Sequence, residues 1–222
     1  MNNRYNHDSV ELYIFNWKKV NNNSIKLYNE AIKYIENVKI INCDENLNLN
    51  KECVRNIQLD DSYYYGGQFS TAINDVGSEK ILGIIVGDTI NVDFKNLFVN
   101  LLYTFNNYNT GIYTINDLRS PHRKIIKTLC NKKQLKLVHN SDCGIWFISP
   151  EIHQKLNFIN YHKISPLGWG IDIITIKECQ KNNKLVIRDY SINCDQIDHK
   201  CNYSSKEASQ QLKSLTNYYN NL

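Results

Sequence analysis

The stretch Lys80–Phe94, KILGIIVGDTINVDF, decides how this chain reads. From Ile81 to Val86 it is an apolar run rich in β-branched residues, as expected of a strand buried on both faces near the centre of a parallel sheet. The run then meets Gly87-Asp88-Thr89. Asp is a poor strand former and a good ligand for a hard cation. Either Asp88 closes a turn, or the strand exists to hold that carboxylate in a site.

Upstream, VELYIFNW (Val10–Trp17) alternates and predicts a strand. In the following NNNSIKLYNEAIKYIEN, Ile25, Tyr28, Ala31, Ile32 and Ile35 fall on one helical face. VKIINCD (Val38–Asp44) predicts a short strand ending in an acid. Strand, helix and strand in that order favour a parallel pair and an α/β fold. Residues 45–64 read as polar and irregular, and GGQFSTAINDVG (Gly66–Gly77) as a short helix bounded by glycines. Downstream, Phe94, Leu97, Phe98, Leu101, Leu102 and Phe105 make an amphipathic helix, with Asp93 at its start.

Beyond that helix the pattern changes. TGIYTI, LKLVHN and CGIWFIS predict strands, PEIHQKL a short helix opened by Pro150, and GIDIITIKECQKN a further helix. KLVIRDYSINC predicts one or two strands, and SSKEASQQLKSLTNYY a closing helix with a Ser204/Glu207 capping box. The expectation is one domain over residues 1–222, with a Rossmann-like, nucleotide-binding half at about 10–105 and a mixed half at about 106–222.

Bulk properties narrow the function classes. The 222 residues suffice for a substantial core, and 42% hydrophobic with 22% charged residues is ordinary for a globular chain. Net charge is +4, and Lys and Arg read as scattered, which disfavours a nucleic-acid partner and suits an anionic small ligand. Seven cysteines without a CxxC pair argue against a zinc site or disulfide scaffold and for free thiols in a reducing cytoplasm. The polar N-terminus lacks a signal-peptide core, and no apolar run approaches the roughly 18 residues of a membrane span. Asn supplies about one residue in seven, as AT-rich microbial or viral coding sequences do.

Ligands of open α/β sheets bind at the carboxyl ends of strands. Here those ends carry Asn16-Trp17, Asp44 and Asp88. The order of YYYGGQFSTAINDVGSEKILGIIVGDT, TGIYTI, DCGIWFISPEI and GWGID resembles the GT-A type of nucleotide-sugar glycosyltransferase. The resemblance is to small family-2-like enzymes, including single-domain ones of large DNA viruses. It covers about residues 10–205.

The resemblance implies a GT-A-like single domain that transfers a sugar from a nucleoside-diphosphate donor, a UDP-sugar above all, to a hydroxyl of a glycan or glycoprotein. Asp88 would hold Mn²⁺ or Mg²⁺ against the donor diphosphate, since a hard cation neutralises the charge of the leaving group. His199 would complete the metal shell or contact phosphate. Asn16 and Asp44 would meet base and ribose, and Tyr65, Gly66 and Gly67 the donor. Asp172 would be the general base of an inverting reaction. Trp146 and Trp169 would be platforms for sugar rings, and Asp117, His122 and Arg123 would bind acceptor. One acid stands where the family's DxD motif has two, so the ion would lean on His199 and the diphosphate. A nucleotidyltransferase shares the early layout but carries a Gly-rich loop after the first strand, where this chain has NWKKVNNNS. A non-catalytic nucleotide-sugar-binding domain is the third class. The cysteine usage and the lack of a signal-peptide core place the protein in the cytoplasm, the host's if it is viral.

Overall fold

The computed structural model describes residues 4–49, 54–122, 124–197 and 204–222. Strand β1 (Val10–Asn16) pairs in parallel with β2 (Val38–Asn42) and with β4 (Ile81–Val86), and β2 pairs in parallel with β3 (Asn56–Gln58). Next to β4 lies β9 (Ile145–Ile148), which runs antiparallel both to β4 and to β6 (Thr110–Asp117). Strand β10 (Leu185–Gln196) continues the sheet parallel to β6. The antiparallel hairpin of β7 (Ile125–Cys130) and β8 (Leu135–Val138) closes that side. The order among the described strands is β3-β2-β1-β4-β9-β6-β10-β8-β7, with the two-residue β5 (Thr89–Ile90) on the end of β10.

Each central strand sends alternate side chains to opposite faces, the period-2 rule. Val10, Leu12 and Ile14 of β1 join a core with Leu27 and Tyr28 of α1 (Asn21–Ala31) and Leu97, Phe98 and Leu101 of α3 (Phe94–Asn107). Tyr13 and Phe15 join the other core. There they pack with Phe69 and Ala72 of α2 (Tyr65–Asp75), Ile152 of α4 (Pro150–Gln154) and Ile171 and Ile174 of α6 (Ile171–Lys181). The result is a mixed α/β sandwich of helices on both faces of one sheet.

Several expectations need adjusting. The inward face of α1 is Ser24, Leu27, Tyr28 and Ala31; the helix ends at Ala31, so Ile32 falls beyond it and is exposed. Strand β3 was hidden by its polar sequence, Asn-Ile-Gln, because its place comes from backbone pairing with β2. Strand β7 lacks a buried face, its first four residues being exposed, so no alternation marks it. The short α5 (Tyr161–Ile164) is capped by Asn160, whose side chain accepts from the Lys163 N–H. KLVIRDYSINC belongs to a single strand, irregular between Asp189 and Asn193.

The last helix, α7 (Ser205–Asn220), starts where expected, with the Ser204 hydroxyl accepting from the Glu207 N–H. Its far end is held by a buried polar contact: Tyr219 donates its hydroxyl to Glu178 of α6, whose other oxygen accepts from Asn182 Nδ2 at 2.7 Å. Removing the Tyr219 hydroxyl leaves a buried carboxylate oxygen without its donor. Tyr219→Phe should cost about 1–3 kcal/mol in a urea unfolding experiment.

Candidate active site

Strand polarity gathers the candidate residues at one edge. Strands β1, β2 and β4 are parallel, so Asn16, Asn42 and the Gly87-Asp88 turn end together. Since β9 opposes β4, with Ile85 facing Ile145, its entry loop 141–144 lies at that same edge. The carboxyl ends of β6 (Asp117) and β10 (Asp195, Gln196) point the same way.

On the β1–β2 side the amides make a closed network. Asn16 Nδ2 donates to Asn42 Oδ1 at 2.7 Å and to Asn21 Oδ1 at 2.8 Å, and Asn21 Nδ2 donates to Asp44 Oδ2 at 2.7 Å. The other oxygen of Asp44 accepts the Asn46 N–H at 3.0 Å. Donation from Asn21, with help from Asn46, holds the Asp44 carboxyl below the usual range, so it stays ionised. Asn16 Oδ1 is buried and lacks a hydrogen-bond partner among the described residues.

Asp88 is 3% exposed, and its carbonyl accepts the Ile197 N–H at 2.8 Å. The end of β10 is thereby tied to the end of β4, with Gln196 paired to Thr89. No group of three His, Cys, Asp or Glu suited to a metal occurs among the described residues. One buried hard oxygen donor does fit a divalent cation whose remaining ligands are phosphate oxygens and water, as Mg²⁺ sites on nucleotides use. His199 and Arg123 lie outside the described residues.

On the other side, Asp172, His122, Asp142 and Asp117 share a field. His122 Nε2 stands 3.5 Å from Asp142 Oδ1. Asp172, in the first turn of α6, is pushed above the ordinary carboxylate range by burial; the Ile173 N–H and then His122 oppose the rise, and Asp142 adds to it. Asp117 is pushed up chiefly by burial, with Asp142 and Asp195 adding repulsion. Gln196 Nε2 donates to Asp117 Oδ2 at 3.0 Å.

Two members of this set were missed in the sequence. Asp142 stands in the quoted DCGIWF motif, directly before the Cys-Gly turn, and its Oδ2 is buried without a hydrogen bond among the described residues. Arg188 sits inside an apolar strand, fully buried, with Nη1 donating to the His122 carbonyl. Its charge pulls the Asp117 carboxyl down. A lone Arg within LVIRDY was the available signal.

Four expected contacts have a different setting. Trp146 is fully buried in β9 and cannot present a ring face to a sugar; its indole N–H donates to Ser141 Oγ at 3.1 Å and anchors the loop that carries Asp142. Tyr65 pins the same loop, donating its hydroxyl to the Cys143 carbonyl at 2.7 Å. The closeness allowed by Gly66 is to protein: a Cβ there would stand 2.0 Å from the Ser165 carbonyl oxygen. At Gly67 the neighbours are Tyr63 and His162, whose rings stack at 4.0 Å. Trp169, by contrast, is 39% exposed, in a turn whose Gly168 and Gly170 have φ of +88° and +92°.

No protein-family model matches this chain, and neither does the sequence of any curated protein. Solved structures do match. Glucosyl-3-phosphoglycerate synthase from Mycobacterium tuberculosis, in complex with Mn²⁺, UDP and glucosyl-3-phosphoglycerate, superposes with a TM-score of 0.60 at 10% identity, over 96% of this chain and 80% of that one. The fold is GT-A-like. A second GT-A-like match, GalNAc-T7 with UDP, GalNAc and Mn²⁺, has a TM-score of 0.58 at 9% identity, over 96% of this chain and 50% of that one. CMP:2-keto-3-deoxy-manno-octonic acid synthetase with CTP matches at 0.51 and 9% identity, over 95% of this chain and 99% of that one. At these identities the likeness is one of fold.

Packing at Gly66 yields a direct check. Gly66→Ala should destabilise the protein by roughly 1–3 kcal/mol in urea unfolding, because backbone and not a flexible side chain blocks the added methyl.

Proposed function

We propose that this protein is a glycosyltransferase that moves a sugar from a nucleoside-diphosphate donor, with UDP the favoured nucleotide, to a hydroxyl of a glycan or glycoprotein. The observation that carries the reading is that buried Asp88 follows β4 at the edge of a GT-A-like sheet where the entry loop of β9, bonded at Gly144 to Val86, carries Asp142, with His122 3.5 Å from it and Asp172 in the same field. Solved neighbours holding UDP and Mn²⁺ support it.

Asp44 meets the nucleoside, its ionised carboxylate accepting from base N–H or ribose O–H groups, and buried Asn16 acts there through Asn21, to which both are hydrogen-bonded. Asp88 supplies one hard oxygen to a divalent cation, which when bound neutralises the diphosphate as it leaves. His199 would add a ligand or a phosphate contact. Asp172 takes the proton of the acceptor hydroxyl as the new glycosidic bond forms and the bond to the diphosphate breaks, with inversion at the anomeric carbon. Its raised pKa makes it a stronger base than an ordinary carboxylate. His122, Asp117 and Arg123 orient the acceptor, and exposed Trp169 offers an apolar ring to a sugar. Cys43, Cys130, Cys143, Cys179 and Cys194 are free, which supports a reducing cytoplasm.

The CTP-bound neighbour keeps a nucleotidyltransferase as the second reading. Against it, the segment after β1, Trp17-Lys18-Lys19-Val20, holds no glycine to wrap a triphosphate.

Calorimetry with UDP, GDP and their sugars, in Mn²⁺ and in EDTA, tests the donor site. Metal-dependent binding that Asp88→Ala abolishes is the expected result; absence of binding under every condition overturns the reading. Release of pyrophosphate from a nucleoside triphosphate would mark the nucleotidyltransferase. For the base, Asp172→Asn should lower transfer by about 10²-fold or more. The wild-type rate should climb with pH as Asp172 loses its proton, and this acid limb should lie above the ordinary carboxylate range, since burial raises the pKa. In Asp172→Asn that limb should vanish.

A further inference from the structure

The positive charge of this chain is not spread evenly. Residues 119–139 contain seven Lys and Arg and no acid, leaving 19 Lys and Arg against 22 Asp and Glu elsewhere. The whole positive excess therefore belongs to one segment, a correction to the reading of charge as scattered. In the fold that segment is the β7–β8 hairpin and its entry loop, at the outer edge of the sheet.

Some of these cations are engaged. Arg119 pairs with Asp195 at 2.9 Å, Lys133 lies over the Tyr103 ring and Lys136 over that of Tyr190. Lys124, Lys127 and Lys132 are exposed and make no ion pair among the described residues. Between the first two, Ile125 and Ile126 are 39% and 47% exposed, and Leu118 in the entry loop is 53% exposed. The hairpin, its turn and its entry loop thus offer exposed lysines with exposed aliphatic side chains among them, at the outer end of the sheet.

We infer that this hairpin docks on an anionic lipid bilayer. The lysines match acidic headgroups, and the isoleucines match the boundary between headgroups and acyl chains. A single-stranded nucleic acid fits less well, because residues 118–139 hold no Phe, Tyr or Trp on which a base would stack. A second copy pairing edge to edge would set lysines of the same sign against each other. The entry loop also carries His122, so a protein seated on this edge brings the acceptor end of the site to the lipid surface. That last consequence rests on the transferase reading; the docking does not.

The test is co-sedimentation of the full chain with vesicles of phosphatidylcholine mixed with phosphatidylserine, against phosphatidylcholine alone. No sugar donor is present, so the result stands whether or not transfer activity is found. Binding to the acidic vesicles only, lost at high salt, is expected. Lys124→Glu/Lys127→Glu/Lys132→Glu should weaken it at least about a hundredfold, from the strength of each basic residue near an acidic surface. Ile125→Ser/Ile126→Ser should weaken it while the salt dependence remains. Thermal unfolding of both variants at the wild-type temperature confirms that surface alone has changed. Failure of the wild type to sediment with acidic vesicles, unchanged binding by the lysine variant, or displacement from vesicles by equimolar single-stranded RNA overturns the proposal.

Discussion

Strand β9 runs against both of its neighbours, and the rest of the site follows from that one reversal. A strand inserted antiparallel between β4 and β6 has its entry, not its exit, at the edge where the parallel strands end. The loop Ser141–Gly144 is thereby brought beside Gly87 and Asp88, with Val86 N–H bonded to the Gly144 carbonyl at 2.9 Å. Asp142 reaches the site by this route. Trp146 and Tyr65 then fix the loop from below, each through one hydrogen bond. Trp146, fully buried, acts on the loop and presents no surface to a substrate.

The edge so formed is crowded with carboxylates. Burial raises the carboxyls of Asp117 and Asp172 above the ordinary range; Asp142 adds repulsion at both, and Asp195 at Asp117. Two groups oppose the rise: His122, 3.5 Å from Asp142, acts on Asp172, and buried Arg188 acts on Asp117. Buried Arg188 is held through the His122 carbonyl, so charge and loop position are coupled. A buried acid with its pKa raised in this way suits chemistry in which it takes up a proton.

Much of the fold was legible because buried strands and amphipathic helices leave strong periodic signals. ILGIIV announced the central strand, and the Phe94–Phe105 stripe announced α3. Elements defined by backbone pairing alone, such as β3, left no such trace. Asp88, Asp172, Asp117 and His122, the residues proposed for the site, were readable as polar residues at or near element ends, where open α/β sheets place ligands. Asp142 was not singled out, since its importance comes from the direction of β9, which a sequence does not display. Trp146 was misplaced for a related reason: an aromatic next to a motif looks the same whether it faces ligand or core.

The place of β9 also bears on how the chain is made. Strand β9 covers the side of β4 that β1 leaves open, although it follows β4 by more than fifty residues. During synthesis, ILGIIV leaves the ribosome more than fifty residues before its partner IWFI. For that interval the most apolar strand of the molecule has an open edge, a template for pairing with other chains. Nascent chains stalled before β9 therefore carry that open edge, the kind of surface that chaperones shield.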